Sequence, residues 1–504
     1  MLNPNEVHRK GRSRRYRKMY MLTLVAALIV PLLAACTFGE KPAQEEERVL
    51  RIATLTSYGN QFNHIRTEFT DLFDFMNPHL EIEFMSAVDQ QVNYMTENQQ
   101  DPVEEMKKLM EGPNPPDIVI LDYASLPRFI EDNLLAPLDP LISEHNLDMS
   151  DFAPAIIEGL KALGNDQLYA LTPTFSSTAL VYNRAIFDKY GVGYPEDGMT
   201  WDEMFELAQR VTGGEGDEQT FGFSFQRFYY MDPIRSLSIY VAPLGLSVLD
   251  ESGERMTVNN ESWANAWRKM AEWYKSGVFP KEPDYSNREL TGPFDYDAFL
   301  SGKLAMTLMD YMELDQLINA NQNAGQIEGY EYIDWDVVTM PVHPEAPEIG
   351  GMVQMDQLFA INSRAENRED AWRLIEFIHS EDWAKLRSKS TYRLLTRQSY
   401  TQPKYGLDFN VEAFTRLMPP PTTQDIFTDL YRRDPNFYEI EHIGRMKMQQ
   451  VLEGDKPVEE ALAEWENEGN AILQRIRDES GSEEEGAGGA EVIGGARVIE
   501  RVLR

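Results

Sequence analysis

The apolar positions of this chain follow two periods in turn. Val49-Leu50-Arg51-Ile52-Ala53-Thr54-Leu55 is a strand-like run that ends in Thr56-Ser57-Tyr58-Gly59. Phe62, Ile65, Phe69, Leu72 and Phe73 then fall three to four residues apart, the spacing of one buried helix face. A second strand is predicted over residues 80–85 and a helix over 102–110. The apolar run Asp117-Ile118-Val119-Ile120-Leu121 comes next, bounded by Pro116 and Asp122. Strand, helix, strand, helix, strand, with the last strand apolar on both faces, predicts a parallel sheet covered on both sides.

Helix signals dominate further along. Thr200-Trp201-Asp202-Glu203 fits a capping box, in which the threonine hydroxyl and the glutamate carboxylate satisfy each other's backbone N–H. Met204, Leu207, Ala208 and Val211 lie on one side of that helix, and Gly213-Gly214 closes it. Trp263, Trp267, Met270 and Tyr274 form one stripe over 262–276, ended by Gly277. Trp372, Ile375 and Ile378 do the same over 368–379, and 458–477 reads as another amphipathic helix. Residues 479–504 are rich in glycine and glutamate and cannot bury a core, so a disordered tail is expected there.

The N-terminus departs from this pattern. Arg9, Lys10, Arg12, Arg14, Arg15, Arg17 and Lys18 precede an apolar stretch over 19–35 that contains Pro31 and ends at Cys36. A basic region, a short apolar region and small residues before a cleavage point make residues 1–35 a secretory signal. The apolar run falls short of the roughly 20 residues a bilayer helix needs. Leu33-Ala34-Ala35-Cys36 resembles the lipobox of bacterial lipoproteins, which implies lipidation of Cys36, the only cysteine in the chain. No intramolecular disulfide is therefore possible. Residues 36–48 are polar and without periodicity, as a tether would be.

The charge balance narrows the partners. The chain carries 83 acidic and 47 basic side chains, a net charge of −36. Removal of the basic leader makes the remainder more acidic still. Such a field disfavours nucleic acid, and its simplest reading is a solvated surface.

Several segments in order resemble the extracellular solute-binding proteins of carbohydrate ABC importers, a family typified by maltose-binding protein. They are Asp117-Ile118-Val119-Ile120-Leu121-Asp122, Leu135-Ala136-Pro137-Leu138-Asp139 and Asp166-Gln167-Leu168-Tyr169-Ala170-Leu171-Thr172-Pro173. Leu180-Val181-Tyr182-Asn183-Arg184-Ala185-Ile186-Phe187, Thr200-Trp201-Asp202-Glu203 and Phe299-Leu300-Ser301-Gly302-Lys303-Leu304-Ala305-Met306 continue the series, and Gly350-Gly351-Met352, Leu358-Phe359-Ala360-Ile361-Asn362 and Ala371-Trp372-Arg373-Leu374-Ile375-Glu376-Phe377-Ile378 complete it.

The resemblance spans about 49–477. It implies an α/β fold of two lobes, each a mainly parallel sheet flanked by helices, joined by hinge strands and closing on ligand. The expected first lobe holds 49–165 and 307–345, and the second 166–306 and 346–478. The implied role is extracytoplasmic capture of a soluble carbohydrate for ABC importer permease subunits. The protein would act as a monomer without cofactor or metal, anchored at the cell membrane through Cys36.

Ligands of open α/β sheets bind beyond the carboxyl ends of strands. That rule selects Ser57 and Tyr58, Asp122 and Tyr123, and Asp310 and Tyr311. Aromatic faces and carboxylates suit the apolar faces and hydroxyls of a sugar. Asp122 could equally cap the next helix, and the tyrosines could be core or surface residues. From the second lobe the resemblance adds Phe175, Ser176 and Ser177. Alternation at Phe221, Phe223 and Phe225 marks a half-buried strand, after which Arg227, Tyr229 and Tyr230 are cleft candidates, although a surface position suits Arg227 as well. Gly351 and Met352 sit where two glycines allow close backbone approach or a hinge turn.

Other chemistries find little support. No phosphate loop, dinucleotide fingerprint or Gly-x-Ser-x-Gly elbow occurs. His8, His64, His79, His145, His343, His379 and His442 are dispersed without metal-ligand spacing. A secreted glycoside hydrolase needs only two carboxylates, and turnover of oligosaccharides would reveal it. A sugar-sensing lipoprotein would share the fold and differ in lying beside a histidine kinase gene rather than permease genes. The lipobox reading predicts that Cys36→Ser leaves unprocessed precursor without lipid, read by intact-mass analysis of the membrane fraction; a normally anchored variant would refute it.

Overall fold

The computed structural model describes residues 48–487 except 60–61, 94, 96–99, 230–231, 251, 282–292, 391 and 421–436. The secretory signal, Cys36, most of the tether, Tyr230 and the last residues of the expected tail lie outside the described residues. Contacts divide the chain into residues 1–49 with 74–81, and residues 50–73 with 82–504. In the smaller unit Arg48 N donates to His79 O at 3.1 Å. Most residues of the two sheets belong to the larger unit.

Among the described residues eleven strands form the framework: β1 (Arg48–Ser57), β2 (Leu80–Asp89), β3 (Ile118–Leu121), β4 (Ala170–Leu171), β5 (Thr174–Asn183), β6 (Phe221–Ser224), β7 (Leu304–Asp310), β8 (Trp335–Val338), β9 (Val353–Gln354), β10 (Leu358–Ile361) and β11 (Leu394–Leu395). Seven helices bear on the site and its support: α1 (Pro154–Leu163), α2 (Trp201–Arg210), α3 (Glu261–Ser276), α4 (Leu314–Gln322), α5 (Arg368–Ile378), α6 (Tyr438–Glu453) and α7 (Val458–Ala487). One sheet has the order β2-β1-β3-β10-β4, and the other β11-β5-β7-β6, with β8 and β9 also paired to β5.

Both sheets are mixed. β1 and β3 are parallel, with Ile52 opposite Ile118, while β10 runs antiparallel to β3 and β4. β6 and β7 are parallel, and β5 is antiparallel to β7. Two residues, Thr172 and Pro173, separate β4 from β5 and carry the chain from the first sheet to the second.

These pairings differ from the expected lobe ranges. Residues 307–345 are expected in the first lobe, yet β7 and β8 pair with β5 in the second sheet. Residues 346–478 are expected whole in the second, yet β10 lies between β3 and β4 in the first sheet. A strand apolar on both faces carries no mark of which sheet it joins, and β7 and β10 are both of that kind.

Local signals read more faithfully. The capping box is formed: Thr200 N donates to Glu203 Oε2 at 2.8 Å and Glu203 N to Thr200 Oγ1 at 3.2 Å. Phe221, Phe223 and Phe225 are buried, with Trp201 stacked on Phe225 at 5.5 Å between centroids. On α3 the inward face includes Trp263, Trp267, Met270 and Trp273, whereas Tyr274, expected on the stripe, is exposed. Against the first sheet, helical Phe69 meets Phe359 of β10 edge-on at 5.1 Å and stacks on Trp383 at 5.9 Å. Helix α7 continues beyond residue 477, its expected end, to Ala487. It packs on α6 through Trp465, whose indole N–H donates to Ile440 O at 2.8 Å.

Close packing of β6 on α2 depends on Gly222. A Cβ built there would stand 2.1 Å from Ala208 O, a backbone atom that cannot rotate away. Gly222→Ala is expected to cost about 1–3 kcal/mol by overpacking, read as a lowered midpoint in urea with an unchanged slope.

Candidate functional site

The strand ends and the crossings between the two sheets meet in one hydrogen-bonded ladder. Tyr123, two residues past β3, donates its N–H to Met355 O at 3.0 Å. Gln354 and Val353 pair with Ser176 and Ser177 of β5, and Thr178 N donates to Met352 O at 3.1 Å. On the other edge of β5, Tyr311 N donates to Ser177 O at 3.0 Å and Thr178 lies opposite Asp310. Asp122, Ser176, Ser177, Asp310, Tyr311 and Met352, drawn from widely separated positions, thus belong to one structural neighbourhood.

Within it the side chains differ in availability. Asp310 is half-buried; its Oδ1 accepts from Met312 N at 2.8 Å and its own N–H donates to Glu313 Oε2 at 2.9 Å. Burial holds its carboxyl above the ordinary range. Tyr311 is buried, with its hydroxyl donating to Gln402 O at 3.1 Å, and burial pushes its pKa up to about 12. Lys404 Nζ lies 4.3 Å from the Tyr311 ring centroid and 3.0 Å from Asp315 Oδ2, and burial lowers its pKa. Asp122 Oδ1 accepts from Ser125 N at 2.9 Å within the turn before the helix Leu126–Glu131, whose N-cap is Ser125 and which has no side-chain cap.

At the end of β1, Ser57 turns back on its own loop, its hydroxyl donating to Gly59 O at 2.8 Å. Tyr58 is 60% exposed. β1 and β3 being parallel neighbours, Tyr58 and Asp122 leave their sheet at the same end. Phe175 faces the core, opposite Leu394 and fully buried. Gly351 is required by packing: a Cβ there would lie 2.8 Å from Ile239 O. Met352 is half-buried against the second core.

Arg227 is neither a surface residue nor an open cleft group. Its side chain is 7% exposed; Nη1 donates to Asp297 Oδ2 at 2.6 Å, Nη2 to Gln316 Oε1, and Nε stands 3.7 Å from Glu313 Oε1. Phe228 covers the guanidinium at 4.5 Å. Through Glu313 this ion pair adjoins Asp310. Tyr229 is buried beside it, its hydroxyl 3.3 Å from Ser301 Oγ.

Sequence reasoning missed Asp356, Arg393, Glu313, Asp315 and Lys404. Arg393 Nη2 meets Asp356 Oδ2 at 3.2 Å and also acts electrostatically on Asp310. Only Glu313 carried a local signal, three residues after Asp310; the two cations approach from more than eighty residues away. A groove of about 650 Å³ lies nearby, lined among others by Pro154, Ala155, Thr401, Gln402 and Arg416. None of the expected ligand residues lines it. Among the described residues no group of three or more metal-ligating side chains converges.

Residues 68–385 match the family model of the bacterial extracellular solute-binding proteins. The chain belongs to this family. This solute-binding protein is 20% identical over 372 residues to a binding protein of Brucella abortus, covering 71% of this chain and 80% of that one. Among solved structures it resembles a sugar transporter of Rhizobium etli in an open conformation, at 18% identity and a TM-score of 0.55, covering 84% of this chain and 99% of that one. It also resembles the sugar-binding protein MalE of Xanthomonas citri, at 16% identity and a TM-score of 0.56, over 85% of this chain and 98% of that one. At these identities the likeness establishes the two-lobed α/β fold.

In this solute-binding protein the Arg227–Asp297 pair adjoins Asp310 through Glu313. Arg227→Met strands a buried carboxylate and is expected to cost about 3–5 kcal/mol, measured by urea unfolding. Burial pushes Asp297 up to about 6 despite Arg227. A carboxyl raised on folding binds more protons in the native state, so its contribution falls as pH rises from the unfolded value near 4 through about 6. The stability difference between the native chain and Asp297→Asn should shift in that sense between pH 4 and 7.

Proposed function

We propose that this chain captures a soluble sugar or oligosaccharide between two lobes and delivers it to the permease subunits of an ABC importer. It works as a monomer held by lipid on Cys36 at the extracytoplasmic face of the cell membrane. The observation that supports the reading is the ladder that links the ends of β3 and β7 to β5 through Tyr123, Met355, Gln354, Ser177 and Tyr311, with Tyr58 leaving the first sheet at the same end as Asp122. Carboxylates and hydroxyls there suit sugar hydroxyls, and an exposed tyrosine suits a sugar face. Family membership and the sugar-binding relatives of the same fold favour this ligand class over others.

The sheet pairings suggest the lobe ranges. One lobe is built on residues 50–171 and 355–390, the other on 174–353 and 394–478, with crossings at 172–173, near 354 and near 393. Closure about these short crossings would bring the two groups of strand ends onto one ligand. Among the described residues no helix is long and apolar enough to cross a membrane.

A ligand that binds the native state alone raises stability, by about 2.7 kcal/mol at a hundred times Kd. Screening mono- and oligosaccharides by thermal shift should yield at least one stabilising ligand, and small-angle scattering with that ligand should show a smaller radius of gyration. Absence of both effects across a broad sugar panel would overturn the proposal.

A further inference from the structure

We propose that the groove of about 650 Å³ is a second ligand site, which takes a small polyhydroxylated molecule and couples its binding to rotation of one lobe against the other. It is separate from the strand ends, since none of the residues expected there lines it. Its volume suits a ligand of mono- to disaccharide size.

The two walls of the groove are fixed to different sheets. Helix α1, which contributes Pro154 and Ala155, is held to the first: the Tyr123 hydroxyl, just past β3, donates to Gly159 O at 3.3 Å. The residues before α1 hold the stretch 396–399 beside it. Ala153 N donates to Thr396 O at 2.7 Å, Gln398 N to Asp151 O at 2.8 Å and Ser399 N to Asp151 Oδ1 at 3.0 Å. The opposite wall follows the second sheet. The Tyr311 hydroxyl, directly after β7, donates to Gln402 O at 3.1 Å, and Asn410 N donates to Asp336 Oδ1 of β8 at 3.2 Å. Phe414 meets the Tyr311 ring edge-on at 5.4 Å. The chain passes from one wall to the other within residues 399–402, so rotation of the lobes about that stretch changes the width of the groove.

The lining selects the ligand class. Gln398 presents a side-chain amide, Gln402 uses Nε2 on Ser399 O at 3.0 Å, and Glu412 uses Oε2 on Arg416 at 3.0 Å. Among the described residues the Gln398 amide and the Oε1 atoms of Gln402 and Glu412 have no hydrogen-bonding partner. Amides and carboxylates of this kind match hydroxyls, which both donate and accept. Pro154, Ala155 and Val411 supply apolar surface for the carbon-bound hydrogens of the same molecule. A ligand that bridges the walls favours the lobe arrangement whose groove fits it. Its effect on sugar affinity must equal the effect of the sugar on its own affinity. That coupling rests on the sugar-binding reading above; the groove site does not.

The test titrates glycerol, erythritol, xylitol, glucose, sucrose and trehalose calorimetrically against the mature chain and three variants whose urea midpoints confirm folding. Val411→Trp fills the groove with an indole, Gln398→Ala removes its amide, and Asp310→Asn alters the strand ends alone. At least one probe is expected to bind the native chain and Asp310→Asn equally, and to bind Val411→Trp at least about tenfold more weakly. Gln398→Ala should weaken the same probe. At saturation that probe should change the radius of gyration and shift the affinity of a strand-end sugar by about fivefold or more. If no probe loses affinity in either groove variant, the site is overturned; a groove ligand that leaves both radius and sugar affinity unchanged overturns the coupling. Sugar binding that responds to Asp310→Asn alone would sink the groove site and leave the proposed function standing, whereas silence of every probe would remove both.

Discussion

The structure depends on satisfying both edges of one buried strand. β5 runs ten residues, and nine of them are buried. Unpaired N–H and C=O groups there would cost about 1–3 kcal/mol each. The chain therefore supplies partners along the length of β5: β11 at Thr174 and Phe175, β9 at Ser176 and Ser177, β7 from Thr178 to Tyr182, and β8 from Leu180 to Asn183. These partners come from residues 304–395, so completing β5 brings the late part of the sequence back to the early part. The ladder that holds Asp122, Ser176, Asp310 and Tyr311 together is a consequence of that completion.

Charge follows a similar logic. A strongly acidic chain has few cations to place, and several are set where a carboxylate would otherwise stand alone. Arg227 with Asp297 is the most buried of these pairs near the strand ends, and desolvation keeps it from being a large net source of stability. Its effect is positional: the guanidinium joins the loop after β6, the 297–301 turn and α4, and through Glu313 it borders Asp310. Asp122 and Asp310 at the strand ends each accept a hydrogen bond from a nearby backbone N–H group.

Much of the local structure was legible from the sequence. The capping box at Thr200, the glycine stop at Gly277 and the alternation of Phe221, Phe223 and Phe225 each express chemistry between residues a few positions apart. The helix over 261–276 was legible too, but its inward face was misjudged at Tyr274, because Trp273 competes for the same side and the larger apolar surface takes the core. Among the candidate residues, the rule that ligands gather after strands selects Tyr58, Asp122 and Asp310 because it needs only strand ends. It could not show that Arg227 meets Asp297 seventy residues away, nor that Phe175, in a stretch of mixed polarity, turns inward against Leu394.

By itself, then, the sequence determined the α/β class, the order of elements, the acidity of the chain and the residues that end each strand, since periodicity, caps and composition are local quantities. The tertiary structure decided which sheet each doubly apolar strand joins, which cations are consumed in ion pairs and which side chains face the crossings. Those outcomes depend on partners distant in sequence, and a strand such as β7 or β10 reads the same whichever neighbours it finds.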